Sequence, residues 1–413
     1  MLTEIKKPLK YLRNKYGALK EQMMYFYYTS IYTPHKVRRI RRQASITVLF
    51  IISEVGVWKT EILYLKMLAN SRFKPVLLAT PSTENPRAYD EVISFLKSRK
   101  YEYVELKEDE SIKDRINPDI IFYQKPYDWV VPYKYCFRNN LYALFCYATY
   151  GFHSVIDEWA NNQPLLNYSW HVYYENEDSA SASHLMRNKG RNTYITGLPM
   201  MDELLESSSN STIKTKSRKT IIWAPHHTIP QDDNWLNYST FLDYYEFMLE
   251  IAHKYEKEVD FIFKPHPLLA PKLRQLWGDE KMEAYFEQWS SRNNCRVEMG
   301  KYIDVFSISS AMIHDCASFT IEYLYYNNPV MYLNNSYDHE VNMLDYAKKA
   351  YHLHYQGNNR DDIEGFIKMV IEGRDDMAES RKAYKTEYLC PPGNKTASDN
   401  IINVILGYNG CKC

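Results

Sequence analysis

Ala311-Met-Ile-His-Asp-Cys-Ala-Ser-Phe-Thr-Ile-Glu-Tyr323 decides how the chain reads. A short apolar run leads into a polar loop, and the loop leads into a segment that predicts about two helical turns to Tyr326. Ser318 stands at that junction, where its hydroxyl can cap the helix and the free N–H groups favour a phosphate. Glu322, one turn on, is in reach of a sugar hydroxyl. A Ser-capped core helix is the plainer alternative. Two earlier stretches repeat the pattern: Ile221-Ile-Trp-Ala-Pro-His-His-Thr228 and Phe261-Ile-Phe-Lys-Pro-His-Pro267. Each apolar run has the length of a buried parallel strand and is followed by helical sequence. In an open α/β sheet ligands bind at the carboxyl ends of strands. Histidine, lysine, serine and glutamate at three such ends predict a site.

Working outward, strand and helix patterns alternate on both sides. Strands are expected at Thr220–Ala224, Asp260–Lys264, around Arg296–Glu298 and at Val330–Leu333, with a helix over Tyr238–Lys254. Upstream, Ile46–Ile52, Pro75–Ala79 and Asp119–Tyr123 read as strands, with helices between them. The polar run Ser207-Ser-Ser-Asn-Ser-Thr212, followed by Lys214, Lys216, Arg218 and Lys219, reads as a linker. The expected architecture is α/β and GT-B-like, with two Rossmann-like domains whose parallel sheets face a central cleft. Its parts are a basic helical segment (1–43), an N-terminal acceptor domain (44–206), a linker (207–219), a C-terminal nucleotide-donor domain (220–390) and a final helix and tail (391–413). No Gly-x-Gly-x-x-Gly follows the first strand, which removes the dinucleotide fingerprint and any case for a dehydrogenase.

Composition narrows the classes further. With 51 Lys and Arg against 51 Asp and Glu, nothing suggests bulk attraction to nucleic acid. Seven scattered cysteines argue against a disulfide framework and for a reducing compartment. The absence of a long apolar run or signal-peptide pattern leads to a cytoplasmic expectation. Residues 1–43 stand apart, with eleven Lys and Arg against Glu4 and Glu21, interleaved with tyrosines. Such a segment suits the anionic inner face of a cell membrane; the plainer reading is a helix packed on the domain, its cations meeting acids elsewhere. In the Tyr/Trp/His-rich stretch 136–174, His153 follows Gly151 at what reads as a strand-end turn, and Trp170-His171 is a second histidine of interest. His314-Asp315 and His226-His227 are metal-ligand types, which leaves a divalent metal open, but no carboxylate cluster accompanies them, so no metal ligand and no cofactor is named.

Four of these elements together resemble the CDP-glycerol glycerophosphotransferase family of teichoic-acid and capsule polymerases. Lys264-Pro-His-Pro267 matches its Lys/Arg-x-His-Pro element, and Asp315-Cys-Ala-Ser-Phe-Thr-Ile-Glu-Tyr323 its Asp-Tyr-Ser-Ser-x-x-x-Asp-Tyr element. Ala224-Pro-His226 matches an Ala-Pro-Thr strand end, and Gly197-Leu-Pro-Met-Met-Asp202 a Gly-x-Pro-Arg-x-Asp segment. Order and spacing agree over about 190–335. Ala317 replaces one serine, Glu322 the aspartate, Met200 the arginine, and His226-His227-Thr228 a Thr-aromatic-Arg. A Trp-His-Gly-Thr-Pro segment is missing; His153 is the positional substitute and His171 the runner-up.

The resemblance implies attack of an acceptor hydroxyl on the β-phosphate of a CDP-activated polyol, glycerol or ribitol, with release of CMP. The acceptor would be a cell-surface polysaccharide or a lipid-linked, teichoic-acid-like polymer. His153 would take the hydroxyl proton. His266, Ser318 and the helix N-terminus would hold the pyrophosphate, with Lys264 as an extra cation. His226 and His227 would line the donor phosphate pocket, Asp315 belongs to the donor-binding set, and Glu322 would bind ribose hydroxyls. Two other readings keep the fold: a nucleotide-sugar glycosyltransferase of capsule or lipopolysaccharide synthesis, and a non-catalytic scaffold. Clustered histidines, lysine and serine at three strand ends speak against the scaffold.

Overall fold

A computed structural model of the protein describes residues 15–210, 218–229, 237–300 and 302–408. By their internal contacts these form two compact units. The first gathers Met1–Gly151, Glu158–Met200 and Pro391–Cys413, and the second Phe152–Asp157 and Met201–Cys390.

The first unit holds a seven-stranded sheet: β1 (Ile46–Ile52), β2 (Phe73–Ala79), β3 (Tyr103–Val104), β4 (Ile120–Phe122), β5 (Leu144–Ala148), β6 (His171–Tyr174) and β7 (Thr193–Ile195). Their order is β3-β2-β1-β4-β5-β6-β7, and every pairing is parallel. The second unit holds β8 (Lys219–Ala224), β9 (Val259–Phe263), β10 (Cys295–Val297), β11 (Ala311–His314), β12 (Val330–Leu333) and β13 (Tyr355–Gly357). Here the order is β10-β9-β8-β11-β12-β13, again wholly parallel. Both sheets thus wind outward twice from a central strand, and each has a topological switch point, between β1 and β4 and between β8 and β11. The fold is the expected GT-B-like one, built from two Rossmann-like units.

Strands buried on both faces explain why the central ones read as unbroken apolar runs. Six of the seven β1 residues are buried, as are all of β11 and β12. Around β8 and β9 the second core is aromatic: Trp223 stacks on Phe263 at 5.1 Å and on Phe241 at 5.7 Å, and Trp289 closes on both strands.

Three features depart from the sequence reading. Residues 207–209, expected in a linker, finish the helix Pro199–Ser209, while 211–217 lie outside the described residues. The expected helix from Tyr238 starts at Phe241, because 238–240 are held in a loop by Thr228 and Asp315. The third lies in the stretch 44–206, which is not one piece. Segment 152–157 joins the second unit through a Val155–Met343 bridge and two backbone bonds, Ile156 N to Asn342 O and Leu344 N to Ser154 O.

The N-terminal segment is helical from residue 15 to Arg42, with a π-helical stretch at Tyr27–Tyr32. One side faces the first unit. Tyr28 and Ile40 are buried, the Tyr28 hydroxyl donates to Ala143 O, and Lys36 and Arg39 meet Asp119. At the carboxyl end of the chain, the helix Ala397–Leu406 returns to this unit and packs on Glu61–Leu68. Gly197, at φ +76°, permits that approach: a Cβ there would lie 2.9 Å from both Pro391 and Ala397.

Candidate active site

The three loops singled out in the sequence leave neighbouring strands β9, β8 and β11, beside the switch point of the second sheet. Asp315 holds two of them together. Its carboxylate is fully buried and accepts from His226 N at 2.5 Å, Thr240 N at 2.7 Å and Thr240 Oγ1 at 2.9 Å. Burial pulls its pKa up to about 6 against these donors, which fit the ionised form. Asp315 therefore frames the loops from within. The β9 loop is tied in by His266 N donating to Pro225 O.

This frame brings three imidazoles together. His226 and His227 lie with ring centres 4.3 Å apart, His227 and His266 4.3 Å, and His226 and His266 5.2 Å. Burial, mutual repulsion and nearby lysines keep all three neutral: His226 is lowered well below the usual histidine range, His227 falls to about 4 and His266 to about 3. Their tautomers follow from their partners. His266 Nδ1 accepts from Leu268 N at 3.1 Å, and His226 Nδ1 from Thr228 N at 3.4 Å, also facing Thr228 Oγ1 at 3.1 Å. A neutral imidazole that accepts at Nδ1 carries its proton on Nε2. These two rings thus offer N–H donors.

Three histidines with ring nitrogens within 4.8 Å of one another are also a ligand set for a divalent transition metal. Ligation through Nε2 would require a proton on Nδ1, where backbone N–H groups already point. The arrangement suits an anion that accepts hydrogen bonds better than a cation that needs lone pairs.

Lys272 completes this corner, close enough to depress both His226 and His227. It sits in the first turn of the helix Leu269–Trp277, where no acid is present and the helix dipole disfavours a cation. The sequence reading missed it, although that misplaced charge was a signal for an anionic ligand. Tyr238, edge-on to His226 at 5.4 Å and stacked on His339, was missed as well.

The remaining candidates are placed as follows. Ser318 is exposed, already in helical conformation, and its side chain caps no N–H of its helix. That helix is one α turn, Phe319–Glu322, continued as 3-10 helix through Tyr326, so its dipole is weak and side chains must supply most of the field. Lys264 is buried and donates to Gly300 O at 2.9 Å, stitching β9 to the loop after β10. Glu322 is buried and hydrogen-bonds Tyr302. His153 is half-buried on the segment captured by the second unit, its carbonyl accepting from Tyr346 OH at 2.8 Å. His171 lies inside β6, buried against Trp170 and Tyr194, with Nδ1 3.1 Å from Tyr173 OH.

Comparison with known proteins gives this geometry a family. The CDP-glycerol:poly(glycerophosphate) glycerophosphotransferase family matches residues 158–407. No curated protein matches the chain. Among solved structures, the wall teichoic acid polymerase TagF soaked with CDPG is 12% identical, with a TM-score of 0.55 over 98% of this chain and 97% of that one. The UDP-GlcNAc 2-epimerase of Neisseria meningitidis bound to UDP-GlcNAc is 15% identical, with a TM-score of 0.55 over 88% of this chain and 100% of its own. A putative UDP-N-acetylglucosamine 2-epimerase of Listeria monocytogenes is 12% identical, at 0.55 over 88% and 96%. These likenesses place the fold, and the family match extends over more than half of the chain. The chain belongs to the CDP-glycerol:poly(glycerophosphate) glycerophosphotransferase family and is a transferase that uses a CDP-activated donor and a polymer acceptor.

Proposed function

We propose that the protein moves a glycerol or ribitol phosphate from its CDP carrier to a hydroxyl of a cell-surface polysaccharide or teichoic-acid-like polymer, through the site on the second sheet. The convergence of His226, His227, His266 and Lys272, at strand ends flanking a switch point, carries this reading, with Ser318 on the loop after the neighbouring strand β11. The acceptor oxygen attacks the β-phosphorus; the bond from that phosphorus to the CMP oxygen breaks, and CMP leaves with the electron pair. Imidazole N–H donors, the Lys272 ammonium and the Ser318 hydroxyl would bind the phosphate oxygens as charge shifts toward CMP. His153 is the proposed base, taking the hydroxyl proton. Glu322 is assigned to the nucleoside, its approach to ribose requiring it to exchange Tyr302 for a sugar hydroxyl.

The test is product identity. Incubated with CDP-glycerol, CDP-ribitol and a panel of nucleotide sugars, the pure protein should release CMP from a CDP-polyol. Release of a nucleoside diphosphate from a sugar donor instead would make it a glycosyltransferase.

The N-terminal helix is proposed as a peripheral membrane contact. Away from the packed side it exposes Tyr16, Leu19, Met23, Phe26, Tyr27 and Ile31, at the spacing of one helical face. No helix among the described residues is long and apolar enough to cross a membrane.

A further inference from the structure

At the carboxyl edge of the first sheet, three aromatic rings share an orientation. Tyr127 and Trp129 lie 5.1 Å apart at 18°, Tyr127 and Trp159 5.4 Å at 15°, and Trp129 and Trp159 5.8 Å at 29°. A face-to-face column would put its outer pair at roughly twice the spacing of neighbours, so these rings are offset and leave faces open. Trp129 is 49% exposed and Trp159 59%. Tryptophan is ordinarily among the more buried residues, and two exposed faces side by side call for an occupant.

The polar rim says which. Trp129 Nε1 donates to Glu84 Oε1 at 3.1 Å, and Lys125 Nζ bridges Glu84 at 2.7 Å and Glu54 at 2.8 Å. Two carboxylates surround one ammonium that they already neutralise, so the rim repels a polyanion and accepts hydrogen bonds from hydroxyls. Glu54 follows β1, Glu84 follows β2, Lys125, Tyr127 and Trp129 follow β4, and Trp159 follows β5. Four strand-end loops thus converge where a doubly wound sheet takes its ligand.

We propose that Trp129 and Trp159 form a stacking platform for a neutral pyranose ring of the acceptor, with Glu54 and Glu84 receiving its hydroxyls. A pyranose has a CH-rich face for the indoles and hydroxyls at its edge. A bare poly(glycerol phosphate) chain has neither a flat apolar face nor a charge this rim tolerates, and anionic headgroups meet the same repulsion. The unit held on this platform is thereby a sugar of the acceptor polymer or its glycan terminus, whatever the repeat beyond it. The inference rests on the transferase reading above and refines its acceptor.

The experiment titrates the full chain with cellobiose, lactose and chitobiose, following saturation transfer from protein to sugar protons. Matched titrations use a poly(glycerol phosphate) oligomer and vesicles of phosphatidylcholine with phosphatidylglycerol. At least one disaccharide should bind, with transfer strongest at ring CH protons. Trp129→Ala/Trp159→Ala should weaken it by about tenfold or more, the factor that roughly 1.4 kcal/mol of lost stacking corresponds to. Trp129→Phe/Trp159→Phe, which keeps flat faces and guards against a folding artefact, should bind within about threefold of wild type. The proposal is overturned if no disaccharide binds, if the alanine pair binds as tightly as wild type, or if only the phosphate polymer or the vesicles respond to these substitutions. Calorimetry of wild type with CDP-glycerol is the separate arm. Failure there strikes the donor reading, while the sugar titration still decides the platform.

Discussion

Both oxygens of Asp315 are taken up by His226 N and by the backbone and hydroxyl of Thr240, so this residue acts on the ligand site through the loops it fixes. Asp315→Asn keeps the shape, removes the charge and turns one acceptor into a donor facing an N–H. We expect a stability loss of about 1–3 kcal/mol, with donor affinity falling because His226 loses its anchor. Thermal melting and CDP-glycerol titration on one preparation check this; unchanged values in both would remove its framing role. His266→Gln and Ser318→Ala should weaken donor binding by about 1.5–3 kcal/mol without lowering the melting temperature comparably, since Ser318 is exposed and caps nothing. The histidines also set a pH dependence. An unfolded histidine gains its proton near pH 6.5, whereas folded His227 waits until about 4 and His266 until about 3. Stability present above pH 6.5 should therefore drain away as the pH falls from 6.5 toward 3–4, because the unfolded chain binds protons that the folded one refuses. Melting curves from pH 7.5 to 5 should show a fall that His227→Gln makes shallower.

At the scale of elements, legibility followed burial. β1, β8, β9, β11 and β12 are central, buried on both faces, and stand out as apolar runs. β5 and β6 are equally buried, but Leu-Phe-Cys-Tyr-Ala and His-Val-Tyr-Tyr sit in a stretch so rich in aromatic and polar residues that no period emerges. His171, the runner-up to His153 as base, begins β6 and is buried beside Tyr173. β3 and β13, of two and three residues, are too short to leave a signal. In the N-terminal helix the packed reading of its charge has contacts to rest on, and the membrane contact stands as a proposal. Lys36, Arg39 and Glu21 are engaged in the first unit, through Asp119 and Arg138, while the apolar face from Tyr16 to Ile31 is open. If that face touches lipid, Leu19→Glu together with Met23→Glu should reduce sedimentation with phosphatidylglycerol vesicles several-fold at low salt. Since both side chains are exposed, the melting temperature should stay within a few degrees. Equal sedimentation of variant and wild type would make the face a solvated one.

At the scale of the molecule, the chain does not divide once. It leaves the first unit at 152–157, returns, leaves again at Met201, and comes back at Pro391. Sequence patterns show strands and helices but not which sheet a connecting segment joins; segment 152–157 is fixed by three hydrogen-bonding contacts to residues 342–346 that no local pattern announces. The C-terminal return has a local cause: Pro391-Pro-Gly393 follows the end of the helix Ala378–Tyr388, and the helix Ala397–Leu406 then buries one apolar side. Its attachment has two components of unequal weight. Lys66 meets Asp399 at 2.7 Å and Thr396 at 2.8 Å near the surface, a contact worth about 1 kcal/mol or less. Ile401 and Ile405 are fully buried, and truncating either to alanine should cost about 2–5 kcal/mol through lost burial and the cavity left behind. We therefore expect Ile405→Ala to destabilise the first unit far more than Lys66→Ala. CDP-glycerol affinity should persist, because the histidine cluster belongs to the second unit. Hydrogen exchange localises the effect. Faster exchange in β1 and β2 with unchanged exchange in β8 and β9 supports two units of separate stability, whereas equal acceleration in both sheets would mean that they unfold as one.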